Sequence, residues 1–189
     1  IQVFLRHPRG PPPRRHLGLT VACGACGREA LPDLGKLGLS PPPPLAVDPD
    51  LLLALPERLG EAQRLFRATG GLHAAALFDR EGRLVALRED VGRHNALDKL
   101  IGWAFLQGKL PLHDHILLVS GRAGYELLVK AVAAGIPVFC AVSAPTSLAV
   151  ALAQAYGLTL VGFLRPGRMN VYAGRERVGP PRGLPNPCG

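Results

Sequence analysis

The sequence has 189 residues, of which 48% are hydrophobic and 19% are charged, as is typical of a soluble globular protein. No apolar stretch reaches the roughly 18 residues that a membrane-spanning helix needs, and no secretory leader opens the chain, so we expect a cytoplasmic protein without a membrane partner. The net charge of +8 indicates either anionic partners or the arginine-rich usage of a GC-rich genome. Aromatic residues make up only 5% and do not alternate with basic runs, which argues against a nucleic-acid partner.

The N-terminal region is rich in proline and arginine and is expected to be extended. A short strand over residues 17–22 would present Cys23 and Cys26 on a glycine-flanked loop, and residues 28–46 would form a mobile, proline-rich linker. The composition of the sequence changes at Pro49, and Asp48 followed by Pro49 is typical of the start of a helix. The expected organisation is therefore an N-terminal segment with the cysteine loop, an α/β domain and an irregular tail, over residues 1–48, 49–174 and 175–189.

Within the central region, segments with strand character alternate with segments of helical periodicity. A first helix is predicted over residues 50–68, bent or broken near Pro56 and stopped by two glycines. The predicted strands cover residues 72–78, 84–88, 115–120, 138–143, 158–163 and 169–173, and the later helices include residues 97–105, 125–134 and 148–156. This alternation predicts an α/β fold with a mixed sheet that contains parallel strands.

The start of the second predicted helix carries a dense polar motif, residues 89–99. His94 and Asp98 are spaced i, i+4, as are Asn95 and Lys99, so each pair would stack on one helix face. A partly buried histidine beside a carboxylate is suited to acid–base chemistry or to orienting a ligand. The alternative is ordinary charge pairing at a helix end. The apolar stripe of this helix is predicted to face the core and consists of Leu97, Leu100, Ile101, Ala104 and Phe105.

Polar residues follow three of the predicted strands at the point where each strand ends. In open α/β sheets, ligands bind outside the carboxyl ends of the strands, close to helix N-termini. The agreement across three strand ends indicates a crevice for an oxyanion or a nucleotide phosphate, although each hydroxyl alone is more typical of a helix cap. The candidate residues are Ser120, Gly121, Arg122, Ser143, Thr146, Ser147, Arg165 and Arg168.

The pair Cys23 and Cys26 is the sharpest chemical signal in the chain. A thiolate on a glycine-flanked loop is an accessible nucleophile. Structural zinc would need two more ligands at matching spacing, and Cys140, in a predicted strand, and Cys188, in the tail, do not supply a second pair. Cys140 is expected to be a small core residue.

His73 invites comparison with the zinc deaminases, which carry His-x-Glu upstream of Pro-Cys-x-x-Cys. Here the third position is Ala75, and the cysteine pair lies upstream of the histidine without a preceding proline. The general acid/base of deamination is therefore missing, and deaminase activity is disfavoured.

Taken together, the motifs resemble the FdhD family of formate dehydrogenase accessory sulfurtransferases over about residues 17–174. The combination is far more specific than the cysteine pair alone. The motifs, in the order expected for the family, are residues 23–27, 70–75, 90–99, 120–122, 143–147 and 163–168.

The resemblance implies a three-layer α/β/α, cytidine-deaminase-like domain without deaminase chemistry. It also implies that Cys23 accepts persulfide sulfur from a cysteine desulfurase and delivers it to a molybdenum bis(guanine dinucleotide) pterin cofactor for formate dehydrogenase. Cys26 would assist this transfer or relay the sulfur. A homodimer is one expected assembly. The residues expected to hold the guanine-nucleotide-containing cofactor are Phe163, Leu164, Arg165, Pro166, Gly167 and Arg168, with Ser120, Arg122, Ser143 and Thr146, and no resident metal site is expected.

A second hypothesis needs no sulfur chemistry. The protein would be a non-catalytic chaperone for the cofactor, with the cysteines only gating or protecting it. Family members usually carry a further N-terminal segment before the cysteine loop, whereas 22 residues precede Cys23 here. The absence of that segment would affect how the cofactor is enclosed.

Overall fold

The computed structural model describes residues 39–179, and this part of the chain forms an α/β fold built on a six-stranded mixed sheet. The strand order is β2-β1-β3-β4-β5-β6. Strands β3, β4 and β5 run parallel, whereas β1, β2 and β6 pair antiparallel with their neighbours. The strands are β1 (His73–Phe78), β2 (Leu84–Asp90), β3 (Ile116–Val119), β4 (Val138–Ala141), β5 (Thr159–Arg165) and β6 (Arg168–Ala173). The predicted α/β class and the parallel pairing are confirmed.

Within residues 39–179, five helices connect or precede the strands, followed by a 3-10 turn at Arg175–Arg177. They are α1 (Pro49–Ala62), α2 (Arg64–Thr69), α3 (Arg93–Leu106), α4 (Tyr125–Ala133) and α5 (Ser147–Ala155). Among residues 39–179, none of the helices combines the length and the apolar character that crossing a membrane would require.

The first helix is capped as the sequence predicts, but it is interrupted elsewhere. The Asp48 side chain accepts a hydrogen bond from the Asp50 backbone N–H at 2.9 Å, and Pro49 occupies the first helical position. The prediction of a break near Pro56 is wrong, because Pro56 lies inside α1 and the helix ends only before Gln63. The backbone conformation of Gln63 (φ −73°, ψ 80°) separates α1 from α2.

Helices cover both faces of the sheet, and each face has its own apolar core. On one face α1 contributes Leu52, Leu55 and Leu59, all almost fully buried. On the other face α3, α4 and α5 pack side by side. The segments that flank the predicted domain join the first core, because Val47 is buried and its N–H donates to the Arg177 carbonyl at 2.9 Å.

One member of the apolar stripe of α3 does not face the core that α3, α4 and α5 form with the sheet. Leu97, Leu100 and Ala104 are fully buried and Ile101 is partly buried, as predicted. Phe105, in the last turn, is 70% exposed. Helical periodicity identifies the face of a helix but not how far the layer beneath it extends, so this part of the core prediction is wrong.

Candidate functional site

The carboxyl ends of the three parallel strands meet at one edge of the sheet and border a cavity of about 570 Å³. Ser120 follows β3, Val142 follows β4 and Arg165 ends β5, while His73 reaches the same edge because β1 runs antiparallel to β3. The position is the one that the fold class predicts for a ligand. The cavity is lined by Pro56, Leu59, Gln63, Phe66, Gly70, Gly71, Leu72, His73, Ser120, Val142, Leu164, Arg165 and Pro166.

Ser120 fixes the edge of the sheet beside the cavity. Its backbone N–H donates to the Ala74 carbonyl at 3.0 Å, and its hydroxyl oxygen accepts from the Ala74 N–H at 2.8 Å. This second bond replaces a strand-ladder bond, so the hydroxyl extends the pairing of β1 and β3. A Cβ on Gly121, the residue that follows, would make a tight contact of 3.3 Å with Nδ1 of His73. The His73 ring therefore lies close to the Gly121 backbone.

Arg165 and Arg168 are direct cross-strand neighbours at the start of the β5–β6 hairpin. Between them, Pro166 and Gly167 (φ 78°) have the residue types of a type II turn. Both arginines are exposed, and neither makes an ion pair within residues 39–179. Like charges directly opposite one another are unfavourable, and an anion between them would remove that cost.

Phe163 has an unusual backbone conformation just before this hairpin. Its φ of 51° is the only positive value at a non-glycine residue in the described chain. A bulky residue in the left-handed region costs of the order of 1 kcal/mol and is found mostly at functional positions. The ring is 39% exposed, and it lies next to the buried Leu164 that lines the cavity.

The remaining strand-end candidates, Arg122, Ser143 and Thr146, lie beside the cavity edge but do not line it. The Thr146 hydroxyl accepts from the Ala149 N–H at 3.2 Å and caps α5, which is the helix-cap alternative. The Ser143 carbonyl accepts from the Phe163 N–H. Arg122 is exposed in the turn before α4. These three residues therefore belong to the loops beside the cavity and not to its lining.

The polar motif at the start of α3 forms ion pairs with residues of neighbouring elements. Lys99 Nζ lies 2.5 Å from Asp90 Oδ2, and the Asn95 amide donates to Oδ1 of the same carboxylate at 3.1 Å. His94 Nε2 lies 3.2 Å from a carboxylate oxygen of Glu126, and Asp98 pairs at 2.7 Å with Lys130. Glu126 and Lys130 both belong to α4. The motif therefore joins α3 to β2 and α4 through ion pairs, as the charge-pairing alternative predicts.

Among the residues that line the cavity, Gln63 is the polar one that the sequence motifs do not identify. It lies between two helices, 57 residues before Ser120 in the chain, and it matches no catalytic or binding motif. The only available signal is spacing, because Pro56, Leu59 and Gln63 recur at i, i+3 and i+7 and so share one helix face. Leu59 is buried at that face.

Of the four cysteines, only Cys140 lies in the described part of the chain. It is fully buried in β4, and burial raises the pKa of its thiol far above the ordinary value, so it is the inert core residue that the sequence predicts. Cys23 and Cys26 lie outside the described residues. Within residues 39–179, no group of three or more histidine, cysteine or acidic side chains is arranged to hold a metal ion.

Comparison with known proteins gives one consistent family. A protein named "Sulfur carrier protein FdhD" from Streptomyces avermitilis is 58% identical over 167 residues, which cover 87% of this chain and 59% of that protein. Proteins of the same name from Nocardia farcinica and Sulfurisphaera tokodaii are 52% and 50% identical, with 94% and 87% of this chain and 64% and 63% of those proteins covered. The chain thus spans about three fifths of the length of these relatives.

A solved structure of a formate dehydrogenase accessory protein from Desulfotalea psychrophila has a similar fold, with a TM-score of 0.68 and 31% identity. The match covers 75% of this chain and 58% of that one. The sequence profile of the FdhD/NarQ family matches residues 2–179, almost the whole chain. The resemblance drawn from the motifs is therefore confirmed, and this chain belongs to the FdhD/NarQ family.

Proposed function

We propose that the protein carries persulfide sulfur on Cys23 and delivers it to a molybdenum bis(guanine dinucleotide) pterin cofactor during maturation of formate dehydrogenase. The names of its relatives, sulfur carrier protein and formate dehydrogenase accessory protein, support the sulfur-carrier part. The cofactor is the substrate of this transfer. The cysteine desulfurase as sulfur donor, the cytoplasmic location, the homodimer and the cytidine-deaminase-like character of the fold remain predictions from the sequence.

The observation that carries the cofactor part is a pair of neighbouring arginines, of which Arg165 lines the cavity and Arg168 is its cross-strand partner. Two guanidinium groups without carboxylate partners in the described chain match the charge and the geometry of a phosphate or pyrophosphate group. The cavity of about 570 Å³ beside them falls within the range of small-molecule sites. The donor set present therefore fits a phosphorylated organic substrate.

The two thiols of Cys23 and Cys26 are sufficient to balance the atoms and electrons of the sulfur transfer. The desulfurase transfers a sulfur atom from free cysteine to the Cys23 thiolate, forming an S–S bond and releasing alanine. The Cys26 thiolate then attacks the inner sulfur of Cys23, which gives a Cys23–Cys26 disulfide and releases the outer sulfur as hydrosulfide for the substrate. The two electrons that reduce the outer sulfur come from the two thiols, and a cellular dithiol must later reduce the disulfide.

Intact-mass analysis after incubation with a cysteine desulfurase and cysteine tests this proposal. The wild-type chain should gain the mass of one sulfur atom, and Cys23→Ala should not, while Cys188→Ala, a matched change in the tail, should gain it normally. Equal sulfur gain in the Cys23→Ala and wild-type proteins would contradict the assignment of Cys23.

The second candidate function, a cofactor chaperone without sulfur transfer, is favoured by the same arginines, because they could hold the substrate without any cysteine. Maturation of formate dehydrogenase distinguishes the two functions. The chaperone predicts that Cys23→Ala supports maturation and that Arg165→Ala or Arg168→Ala abolishes it. Sulfur transfer predicts that both kinds of variant fail.

A further inference from the structure

The short helix α2 borders the cavity, although its own packing does not hold it in place. All six of its residues are exposed, and the apolar side chains of Leu65 and Phe66 are 57% and 40% exposed. A six-residue helix is too short to be stable in water by itself, and most helices in proteins depend on a buried apolar face. Since α2 buries no residue within the described part of the chain, another contact must hold it.

The carboxylate of Glu89, in β2, holds the start of α2. Its Oε2 accepts a hydrogen bond from the Leu65 N–H at 3.0 Å, and its Oε1 accepts one from the Phe66 N–H at 2.8 Å. Both N–H groups lie in the first turn, where the helix itself supplies no acceptor and where a negative charge is favourable. Hydrogen bonds to an ionised acceptor are also stronger than those between neutral groups. Glu89 therefore fastens α2 to the end of β2.

The two carboxylates at the end of β2 serve opposite faces of the sheet. Side chains alternate along a strand, so Glu89 reaches α2 on one face, whereas Asp90 pairs with Lys99 of α3 on the other. Glu89 lies opposite Ala74 in the register of β1 and β2, and the Ala74 N–H donates to the Ser120 hydroxyl at the cavity edge. The residue that holds α2 is thus fixed in the same row of the sheet as the cavity edge.

Both ends of α2 have the backbone features of a hinge. At its start, Gln63 (φ −73°, ψ 80°) is buried and interrupts the helical conformation between α1 and α2. At its end, Gly70 has a left-handed backbone (φ 68°) and is followed by Gly71. Glycine has the least restricted backbone of all residues, so two in succession form a flexible joint. Movement about these two points would leave the buried residues on either side in place.

The segment between these hinges borders the opening of the cavity. Lining residues that are also exposed to solvent mark the opening, and they lie on two sides of it. Phe66, Gly70 and Gly71 form the side that belongs to α2, and Arg165 and Pro166 form the side that belongs to the β5–β6 hairpin. The hairpin is held by its strand ladder, whereas α2 is held at its start by one carboxylate. The α2 side is therefore the one that can move.

We propose that α2 is a lid on the cavity, hinged at Gln63 and at Gly70 and Gly71, with Glu89 as its latch. When the two hydrogen bonds to Glu89 open, α2 loses the cap of its first turn and moves away from the hairpin, and the cavity opens for a substrate to enter or leave. The lid itself follows from the contacts of α2, and only its part in substrate entry rests on the proposed function.

Amide hydrogen exchange, measured by NMR on the full chain without ligand, tests the latch. Glu89→Gln keeps the size of the side chain but removes its charge and one of its two acceptor oxygens. The N–H groups of Arg67 and Gly70 bond to carbonyls of the same segment and not to Glu89, so they report opening of the whole helix. We expect both to exchange about ten-fold faster in Glu89→Gln. Glu57→Gln, the same change at an exposed position of α1, should leave both rates unchanged. Unchanged exchange at Arg67 and Gly70 in Glu89→Gln would overturn the latch.

Gly71→Ala tests the hinge in the opposite direction. The φ of Gly71 lies outside the left-handed region, and a methyl group there would meet the Thr69 carbonyl oxygen at an ordinary 3.9 Å. Alanine therefore fits and restricts the backbone, so exchange at Gly70 should slow by about two- to five-fold. Gly60→Ala, in α1 with open space around the added methyl group, should leave this rate unchanged. Equal or faster exchange in Gly71→Ala would overturn the hinge, and this variant decides the question if Glu89→Gln fails to fold.

Stopped-flow kinetics with GDP as the probe test whether the lid controls entry. A lid delays both the entry and the release of a ligand, so Glu89→Gln should raise the association and the dissociation rate constants together, and Gly71→Ala should lower both. A static wall would behave differently, because loss of a contact with the bound ligand raises the dissociation rate constant alone. A change confined to dissociation would therefore overturn the lid.

The two measurements separate this inference from the proposed function. If the wild-type protein does not bind GDP, the cofactor part of the proposed function and the role of the lid in substrate entry are both overturned. The latch and the hinge are then still decided by hydrogen exchange of the free protein. If GDP binds but the exchange rates at Arg67 and Gly70 are the same in all variants, the lid is overturned and the cofactor proposal stands.

Discussion

The backbone N–H of Phe163 donates a hydrogen bond of 3.2 Å to the carbonyl oxygen of Ser143, and this bond joins the β5–β6 hairpin to the loop that follows β4. The same hairpin carries Arg165 and Arg168. The unusual φ of Phe163 is thus held at the point where two loops of the candidate site meet. Strain at such a junction persists because the surrounding contacts fix the backbone.

Comparison of Phe163→Gly with Phe163→Ala isolates the cost of this conformation. Both variants lose the ring, but only alanine has to place a Cβ at a φ of 51°. We expect the glycine variant to be about 1 kcal/mol more stable than the alanine variant in urea denaturation. An alanine variant of equal or greater stability would show that the positive φ is not maintained in solution.

Gly162 in β5 lies close to the loop after β4. A Cβ at this position would lie 2.8 Å from Cδ of Pro145 and 2.9 Å from the Tyr172 ring. Because both neighbours are rigid rings, we expect Gly162→Ala to lower the free energy of unfolding by about 1–3 kcal/mol.

Gly102→Ala is the matched control for that substitution. Gly102 lies inside α3 with nothing within 4 Å of the position that a methyl group would occupy, so alanine there should stabilise the protein by about 1 kcal/mol. Thermal denaturation of both variants measures the difference, and a destabilised Gly102→Ala together with an unaffected Gly162→Ala would contradict the packing described here.

Features that are determined by neighbouring residues in the chain can be predicted from the sequence, whereas features that depend on contacts between distant residues cannot. Strands, helices and the strand-end position of Ser120 and Arg165 follow from periodicity and from the rule for α/β sheets. The partners of His94 and Asp98 do not, because Glu126 and Lys130 come from a helix that packs against α3 only in the folded chain. The burial of Gln63 beside the cavity also depends on the folded chain, because its spacing from Pro56 and Leu59 indicates only a shared helix face.

The ion pair of Asp90 with Lys99 makes a prediction about titration. The Lys99 ammonium, the Gly92 N–H and the Asn95 amide, in that order, lower the pKa of Asp90 from 3.8 to about 2. Lys99→Met should therefore raise the pKa of this carboxyl toward 3.8, measured by NMR of the side-chain carboxyl carbon. Lys109→Met, at an exposed loop position, should leave it unchanged, and an unaltered Asp90 pKa in Lys99→Met would remove Lys99 as the main cause.

The two partly buried histidines, His94 and His115, set the direction of the pH dependence of stability. Burial and the nearby charge of Arg93 lower the pKa of His94 below 6.5 in spite of Glu126, and burial lowers the pKa of His115. Below pH 6.5 the unfolded chain therefore binds more protons than the folded protein at these positions. Their neutral forms favour the fold fully above pH 6.5, and this contribution is lost as the pH falls through that value.

Urea denaturation at several pH values between 5 and 8 measures this dependence. The free energy of unfolding should decrease as the pH falls from 7 to 5, with a slope of at most about 1.4 kcal/mol per pH unit from each histidine. His94→Gln should have a shallower slope than the wild type, and the double variant with His115→Gln a shallower one still. Glu126→Gln should steepen the dependence, because this carboxylate is the neighbour that favours the protonated form of His94. A slope that stays the same in all three variants would mean that neither histidine titrates differently on folding.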